Sequence, residues 1–167
     1  VKKVKMPLPP SVKKAIDTLE MNGFEAFVVG GCVRDFIMGK EPHDYDMATN
    51  ALPEQVMDAF SDFTLIKSGI KHGTVGVVIE GEKIEITTFR IDGEYDDNRH
   101  PKSVQFSLLL EDDTKRRDFT VNALAYSEKN GVVDFHGGIS DMEKKLIRAV
   151  GDPECRFDED ALRILRA

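Results

Sequence analysis

Two aspartates two residues apart, in His43-Asp44-Tyr45-Asp46-Met47-Ala48-Thr49, speak most directly of chemistry in this chain. In a strand, a period of two puts Asp44 and Asp46 on one face and turns Tyr45 to the other. Carboxylates this close repel each other, and a divalent cation between them removes the repulsion. Upstream, the apolar run Phe27-Val28-Val29 enters Gly30-Gly31, a glycine pair that can open a helix. Amides at a helix start carry partial positive charge, and glycine lets a phosphate approach them closely. Arg34, one turn further on, keeps its charge and can reach a phosphate oxygen. Phosphate chemistry assisted by a metal is the common implication. No Gly-Lys-Ser/Thr follows the glycine pair and the spacing G-x-G-x-x-G is absent, so this is neither a P-loop nor a dinucleotide fingerprint. Each signal alone is weak, because strand-Gly-Gly-helix junctions are more often tight turns and D-x-D is common on solvated strands.

A second dense cluster is Lys115-Arg116-Arg117-Asp118-Phe119-Thr120-Val121-Asn122-Ala123-Leu124. Arg116, Arg117, Asp118 and Asn122 are too polar for a core, yet Phe119, Val121 and Leu124 are interleaved with them. On composition alone a solvated basic turn is the simpler explanation. Near the end of the sequence, Asp160 and Arg163 lie at i and i+3 and share a helix face, where an ordinary salt bridge is the simpler explanation. Glu85 lies between Ile84 and Ile86 and so faces away from the core in a strand. His43, His72, His100 and His136 carry no partner pattern, and no mechanism is built on them.

The elements that must position these groups follow from hydrophobic periodicity. Pro9-Pro10-Ser11 followed by Val12, Ala15, Ile16 and Leu19 predicts a capped amphipathic helix that stops at Asn22-Gly23. A strand from Phe24 to Val29, a helix from Cys32 to Met38 and the aspartate strand come next. Asn50 is expected to cap a helix with Pro53 early in it. Strands are expected over 63–67, 74–79 and 83–89, the last two joined by a turn at Gly81-Glu82. The charged stretch 91–103 has no periodicity and is expected to be a loop. A strand over 132–135 and a helix capped by Ser140 follow. The pattern predicts an α+β, or mixed α/β, domain in which helices flank a mixed sheet.

At 167 residues the chain fits one domain and the start of a second. A formal charge of -7 argues against a surface that grips nucleic acid throughout, so any RNA contact must be local. Two cysteines, Cys32 and Cys155, are too few for a disulfide framework or a zinc site, and no long apolar run is present. A reducing cytoplasm is the expectation, with no membrane contact and no protein partner.

Taken together, Gly30-Gly31-Cys32-Val33-Arg34-Asp35 followed by His43-Asp44-Tyr45-Asp46-Met47-Ala48-Thr49 resembles the first motif of the class II tRNA nucleotidyltransferases and bacterial poly(A) polymerases. Arg116-Arg117-Asp118-Phe119-Thr120-Val121-Asn122-Ala123 is similar to that family's Arg-Arg-Asp-Phe-Thr-x-Asn-Ala motif, and Glu159-Asp160-Ala161-Leu162-Arg163 to its Glu-Asp-x-x-Arg neck motif. The resemblance implies a polymerase-beta-like catalytic head over 1–148 and the beginning of an all-helical neck over 149–167. It further implies that Asp44 and Asp46 hold Mg²⁺, with Glu85 as an assisting carboxylate. Gly30, Gly31 and Arg34 would hold the triphosphate, Arg117 and Asp118 the ribose, with Arg116 and Asn122 in support. Asp160 and Arg163 would meet the base. The implied reaction is template-independent transfer of CMP and AMP from CTP and ATP to the tRNA 3′ end. The stretch 91–103 is similar to a flexible loop of CCA-adding members and favours full CCA addition. A poly(A) polymerase, a partial CC- or A-adding enzyme, and a noncatalytic RNA- or nucleotide-binding module are the alternatives.

Overall fold

The computed structural model describes residues 4–93, 103–159 and 162–166. Nine strands and seven α-helices are present among them, nearly all serving one seven-stranded sheet. The strands are β1 (Ala26–Val29), β2 (Asp46–Thr49), β3 (Thr64–Ile66), β4 (Thr74–Ile79), β5 (Glu82–Thr88), β6 (Arg90–Asp92), β7 (Val104–Phe106), β8 (Leu124–Ser127) and β9 (Gly131–Asp134). The large sheet runs β3-β4-β5-β2-β1-β8-β9, and β6 pairs with β7 in a separate ribbon. All neighbours in the large sheet are antiparallel except β2 and β5, which are parallel in the register Met47↔Ile86. The sheet is therefore mixed, and helices flank it.

The centre of the sheet is buried on both faces. Every residue of β1 and β8 is buried, which is why β1 reads as a continuous apolar run and neither strand alternates. On one face Val28, Met47, Val77, Ile84 and Ile86 meet α1 (Pro10–Met21) through Val12, Ala15, Ile16 and Leu19, and α3 (Pro53–Ala59) through Val56. On the other face a smaller cluster of Phe27, Val29, Ala48, Phe89, Leu110 and Ala125 leaves room for polar groups beside it. The β4–β5 hairpin turns at Glu80 and Gly81, with φ of 53° and 79°, the left-handed pair expected of a type I′ turn.

Several caps differ from expectation. Ser11 does not cap α1; its Oγ donates to Glu82 Oε2 (2.6 Å) and ties the helix to β5. Asn50 accepts from the Glu25 amide, while α3 begins after Leu52, whose amide is held by Gln55 Oε1. Ser140 lies inside α5 (Gly138–Glu143), and the carboxylate of Asp134 receives the Gly138 and Ile139 amides instead. An ionised acceptor at a helix start is the stronger cap. The stretch 91–103 is not loop throughout: Ile91 and Asp92 belong to β6, β7 begins directly after it at Val104, and residues 94–102 lie outside the described part. Strand β8 was not expected, since four residues all buried, with Ser127 polar among them, show no period of two.

Beyond α5 the chain folds back. The Thr120 amide donates to Arg148 O (2.9 Å), the Val150 amide donates to Asp118 O (2.9 Å), and Phe119 bridges Ala149. Helices α6 (Pro153–Glu159) and α7 (Leu162–Leu165) then follow. Asp141 clamps this return by accepting from Thr120 Oγ1 (2.7 Å) and Arg148 Nε (3.1 Å). At Gly138 a Cβ would overlap the Thr120 carbonyl, a backbone atom that cannot swing aside. Gly138→Ala is thus expected to destabilise the fold by about 1–3 kcal/mol, in the range of overpacked cores. An unchanged urea midpoint would show that the return strand yields.

Candidate active site

The parallel register of β2 and β5 decides the geometry. One step before Met47↔Ile86, Asp46 at the start of β2 lies beside Glu85. Ile84 and Ile86 enter the core and Glu85 is exposed on the opposite face, as alternation requires. Asp44 differs from expectation, for it precedes β2 in an irregular segment and so shares no strand face with Asp46. Tyr45 packs against the larger core cluster. Asp44, Asp46 and Glu85 line one hollow, and Asp46 and Glu85 also line the adjoining cleft of about 590 Å³.

That cleft holds Gly30, Gly31, Arg34, Arg116, Arg117, Asp118, Asn122 and Arg163 as well, so three separate sequence clusters converge. The glycine pair lies where β1 passes into α2 (Gly31–Ile37). Gly30 has φ +80°, and a Cβ there would stand 3.3 Å from Arg117 Nη1, so glycine serves both the turn and the close approach of the guanidinium. Arg34 donates to Asn122 Oδ1 (2.6 Å) and pairs with Asp35 (2.8 Å). Asn122 Nδ2 in turn donates to Asp118 Oδ1 (3.2 Å). Asp118 is buried and also receives the Phe119 amide (2.7 Å) and Arg166 (2.6 Å). An ionised carboxylate offers about four acceptor positions, so among the described residues one is left open. Arg163, 4% exposed, donates through Nη2 to Arg116 O (2.8 Å). Asp160, expected beside it, lies outside the described residues.

Sequence reasoning missed Asp113. It sits in α4 (Leu110–Lys115), fully buried, and accepts from Arg116 Nε (3.1 Å) and Arg117 Nη2 (3.2 Å). Asp-x-x-Arg-Arg, with partners at i+3 and i+4 on one helical turn, was the available signal. Burial alone would raise its pKa, but Arg116 and Arg117 together outweigh burial and hold it below the usual carboxylate range. Its stabilising contribution is therefore complete above the ordinary carboxylate pKa and disappears as pH falls through the depressed value. Arg90 and Arg166 also line the cleft and had not been singled out.

The carboxylates face the opposite situation. Loss of hydration first, then the charges of Glu85 and Asp44, raise the pKa of Asp46, with Arg117 opposing. Among the described residues neither Asp44 nor Asp46 makes a side-chain hydrogen bond or ion pair, whereas Glu85 pairs with Lys83 (2.9 Å). Mutually repelling carboxylates with open oxygens are a hard donor set that suits a divalent cation. No group of three or more His, Cys, Asp or Glu forms a ready cage among the described residues. A divalent cation fits such a site, because one or two carboxylates can hold it together with water and a ligand's oxygens.

The mixed sheet of this α+β domain sets the carboxylate pair Asp46 and Glu85 against a glycine-arginine cradle. Residues 26–148 match the Poly A polymerase head domain, and the chain belongs to that family. It is 52% identical over 152 residues to the CCA-adding enzyme of Geobacillus thermodenitrificans, covering 91% of this chain and 37% of that enzyme. The CCA-adding enzyme of Oceanobacillus iheyensis is likewise 52% identical, with 91% and 38% covered. Among solved structures, the Bacillus stearothermophilus CCA-adding enzyme in complex with CTP superposes with TM-score 0.83 at 43% identity, over 95% of this chain and 38% of that one. The Thermotoga maritima CCA-adding enzyme complexed with tRNA gives TM-score 0.73 at 25% identity, over 99% and 37%. The chain thus spans under two-fifths of the length of these relatives. No helix among the described residues is long and apolar enough to cross a membrane.

Proposed function

We propose that this chain is the catalytic head, with the first part of the neck, of an enzyme that adds CMP and AMP to the tRNA 3′ end. The observation that carries the reading is the convergence of Asp46, Glu85, Gly30, Arg34, Arg117 and Asp118 on one cleft, in a chain about half identical to CCA-adding enzymes. The head is taken as 1–148 and the neck as starting at 149, a division supported by the end of the family match at residue 148.

Asp44 and Asp46 would hold the divalent cations, taken to be Mg²⁺. The chemistry supplied by such ions is activation of the RNA 3′-hydroxyl and neutralisation of the departing pyrophosphate. Gly30 and Gly31 leave space for the triphosphate, and Arg34 and Arg117 offer it fixed positive charge. Arg117 is poorly hydrated, which lowers its pKa, and Arg116 lowers it further. A guanidinium in such a place interacts strongly with an incoming anion. Asp118 uses its remaining acceptor position on a ribose hydroxyl, while Asn122 and Arg116 hold Arg34 and Arg163 in place. Glu85 assists by adding negative charge beside Asp46 rather than as an open ligand, since Lys83 already engages it. A reducing cytoplasm is the compartment that goes with this reading.

The test is incubation of the full-length protein with tRNA lacking its 3′ end and each labelled nucleotide in turn. CTP incorporation followed by a single ATP incorporation is the expected result. Long tracts from ATP alone would make it a poly(A) polymerase, and no incorporation with retained RNA or nucleotide binding would make it a noncatalytic module.

A further inference from the structure

We propose that Asp113 is a positioning residue for nucleotide binding: it fixes the guanidinium of Arg117 over the glycine turn at Gly30. The inference rests on the reading of Arg117 as a nucleotide-binding residue.

The geometry leaves Arg117 little else to orient it. Its Nη2 donates to Asp113 Oδ2 (3.2 Å), and its Nε is buried with no hydrogen-bond partner among the described residues. Its Nη1, on the far side of the fork, is the atom that stands against Gly30. A guanidinium is planar, so fixing Nη2 aims Nη1. Asp113 is itself immobile: it is fully buried, and its other oxygen accepts from Arg116 Nε (3.1 Å) and the Arg90 amide (3.3 Å). One carboxylate therefore locks the arginine pair to each other and to the start of β6. Without it, an alternative acid for Arg117 in the same cleft is Asp46. Rotation toward Asp46 would take positive charge away from the triphosphate position and bring it onto a proposed metal ligand.

A merely structural Asp113 would behave differently. Its loss would lower stability and scale down activity as a whole, whatever substrate was varied. A positioning residue instead acts through Arg117, so its removal raises the nucleotide KM, leaves the tRNA KM unchanged, and adds nothing once Arg117 is gone.

The experiment uses the full-length protein, with CTP and ATP titrations well below each variant's own Tm. Asp113→Asn and Arg117→Ala are each expected to raise the nucleotide KM about ten- to a hundredfold, the range for a lost hydrogen bond to a charged group. The double variant is expected to be no worse than Arg117→Ala. Should Asp113→Asn not fold, Asp113→Glu keeps the buried charge and displaces the carboxylate by one methylene, which is expected to raise the nucleotide KM at least several-fold. An Asp113 variant with lowered Tm and unchanged nucleotide KM would overturn the proposal, as would effects that multiply in the double variant. If Arg117→Ala itself left the nucleotide KM unchanged, the reading of Arg117 would fail and this inference with it. If only the Asp113 variants were silent, that reading would stand and the inference alone would fall.

Discussion

Asp46→Ala is expected to lower nucleotidyl transfer by about a thousandfold or more while leaving the protein as stable as before, or more so. The first half follows from chemistry: charge stabilisation through a metal ligand is worth several kcal/mol in the transition state, and about 1.4 kcal/mol is a factor of ten. The second half follows from electrostatics. Poor hydration, then Glu85 and Asp44, raise the pKa of Asp46 above its ordinary value. A carboxyl raised in this way stabilises the fold while protonated, at low pH, and loses that contribution as pH rises through the folded value. At neutral pH the ionised group is a liability to the cation-free fold, so removing it relieves repulsion. Asp44→Ala is expected to act in the same direction. Assays of Mg²⁺-dependent incorporation, set beside Tm values measured without added metal, separate the two effects. Substantial Mg²⁺-dependent activity in either variant would refute the metal assignment. A large fall in Tm would mean that the aspartates are structural.

The sequence made the site more legible than the sheet that carries it. Gly30-Gly31, Asp46 and Arg117-Asp118 were readable only in combination, because each alone passes for a tight turn, a solvated strand or a basic turn, while their order and spacing together match a known pattern. What brings them together was not readable. Only the parallel pairing of β2 with β5 puts Asp46 next to Glu85, and only the β1–β8 pairing carries the arginine cluster to the glycine turn, where the Gly30 amide donates to Leu124 O. Pairings between strands far apart in sequence leave no local periodicity. Strand β8 escaped for a related reason, being buried on both faces. Asp113 escaped because a carboxylate in a charged run looks solvated, whereas here it is fully buried and paired with Arg116 and Arg117. The placement of Asp44 ahead of β2 shows the converse, that D-x-D spacing suggested a shared strand face the backbone does not adopt.

Arg163→Ala is expected to lower the use of CTP and ATP by about ten- to a hundredfold and to relax the rejection of UTP and GTP. Cytosine and adenine both present an exocyclic amino donor beside a ring-nitrogen acceptor. Uracil and guanine present a carbonyl beside a ring N–H. An ionised aspartate only accepts and an arginine only donates, so Asp160 and Arg163 side by side would match the first pattern and oppose the second. Arg163 lies within the cleft that holds Arg117 and Asp118, it is 4% exposed, and its Nη2 is anchored on Arg116 O. A donor fixed in a nearly dry place discriminates better than a mobile one, because a mismatched base leaves it unsatisfied. The same anchor gives Arg163 a competing role as a tether between α7 and the arginine cluster, and the variants must separate the two. Arg163→Lys retains the charge but not the planar fork, so it should recover part of the nucleotide affinity without the base preference. Ratios of kcat/KM among the four nucleotides, measured on the full-length enzyme, are the readout. They are insensitive to a uniform loss of folded protein. If Arg163→Ala kept the preference for CTP and ATP while losing Tm, Arg163 would be the tether alone, and base choice would have to arise from neck residues elsewhere.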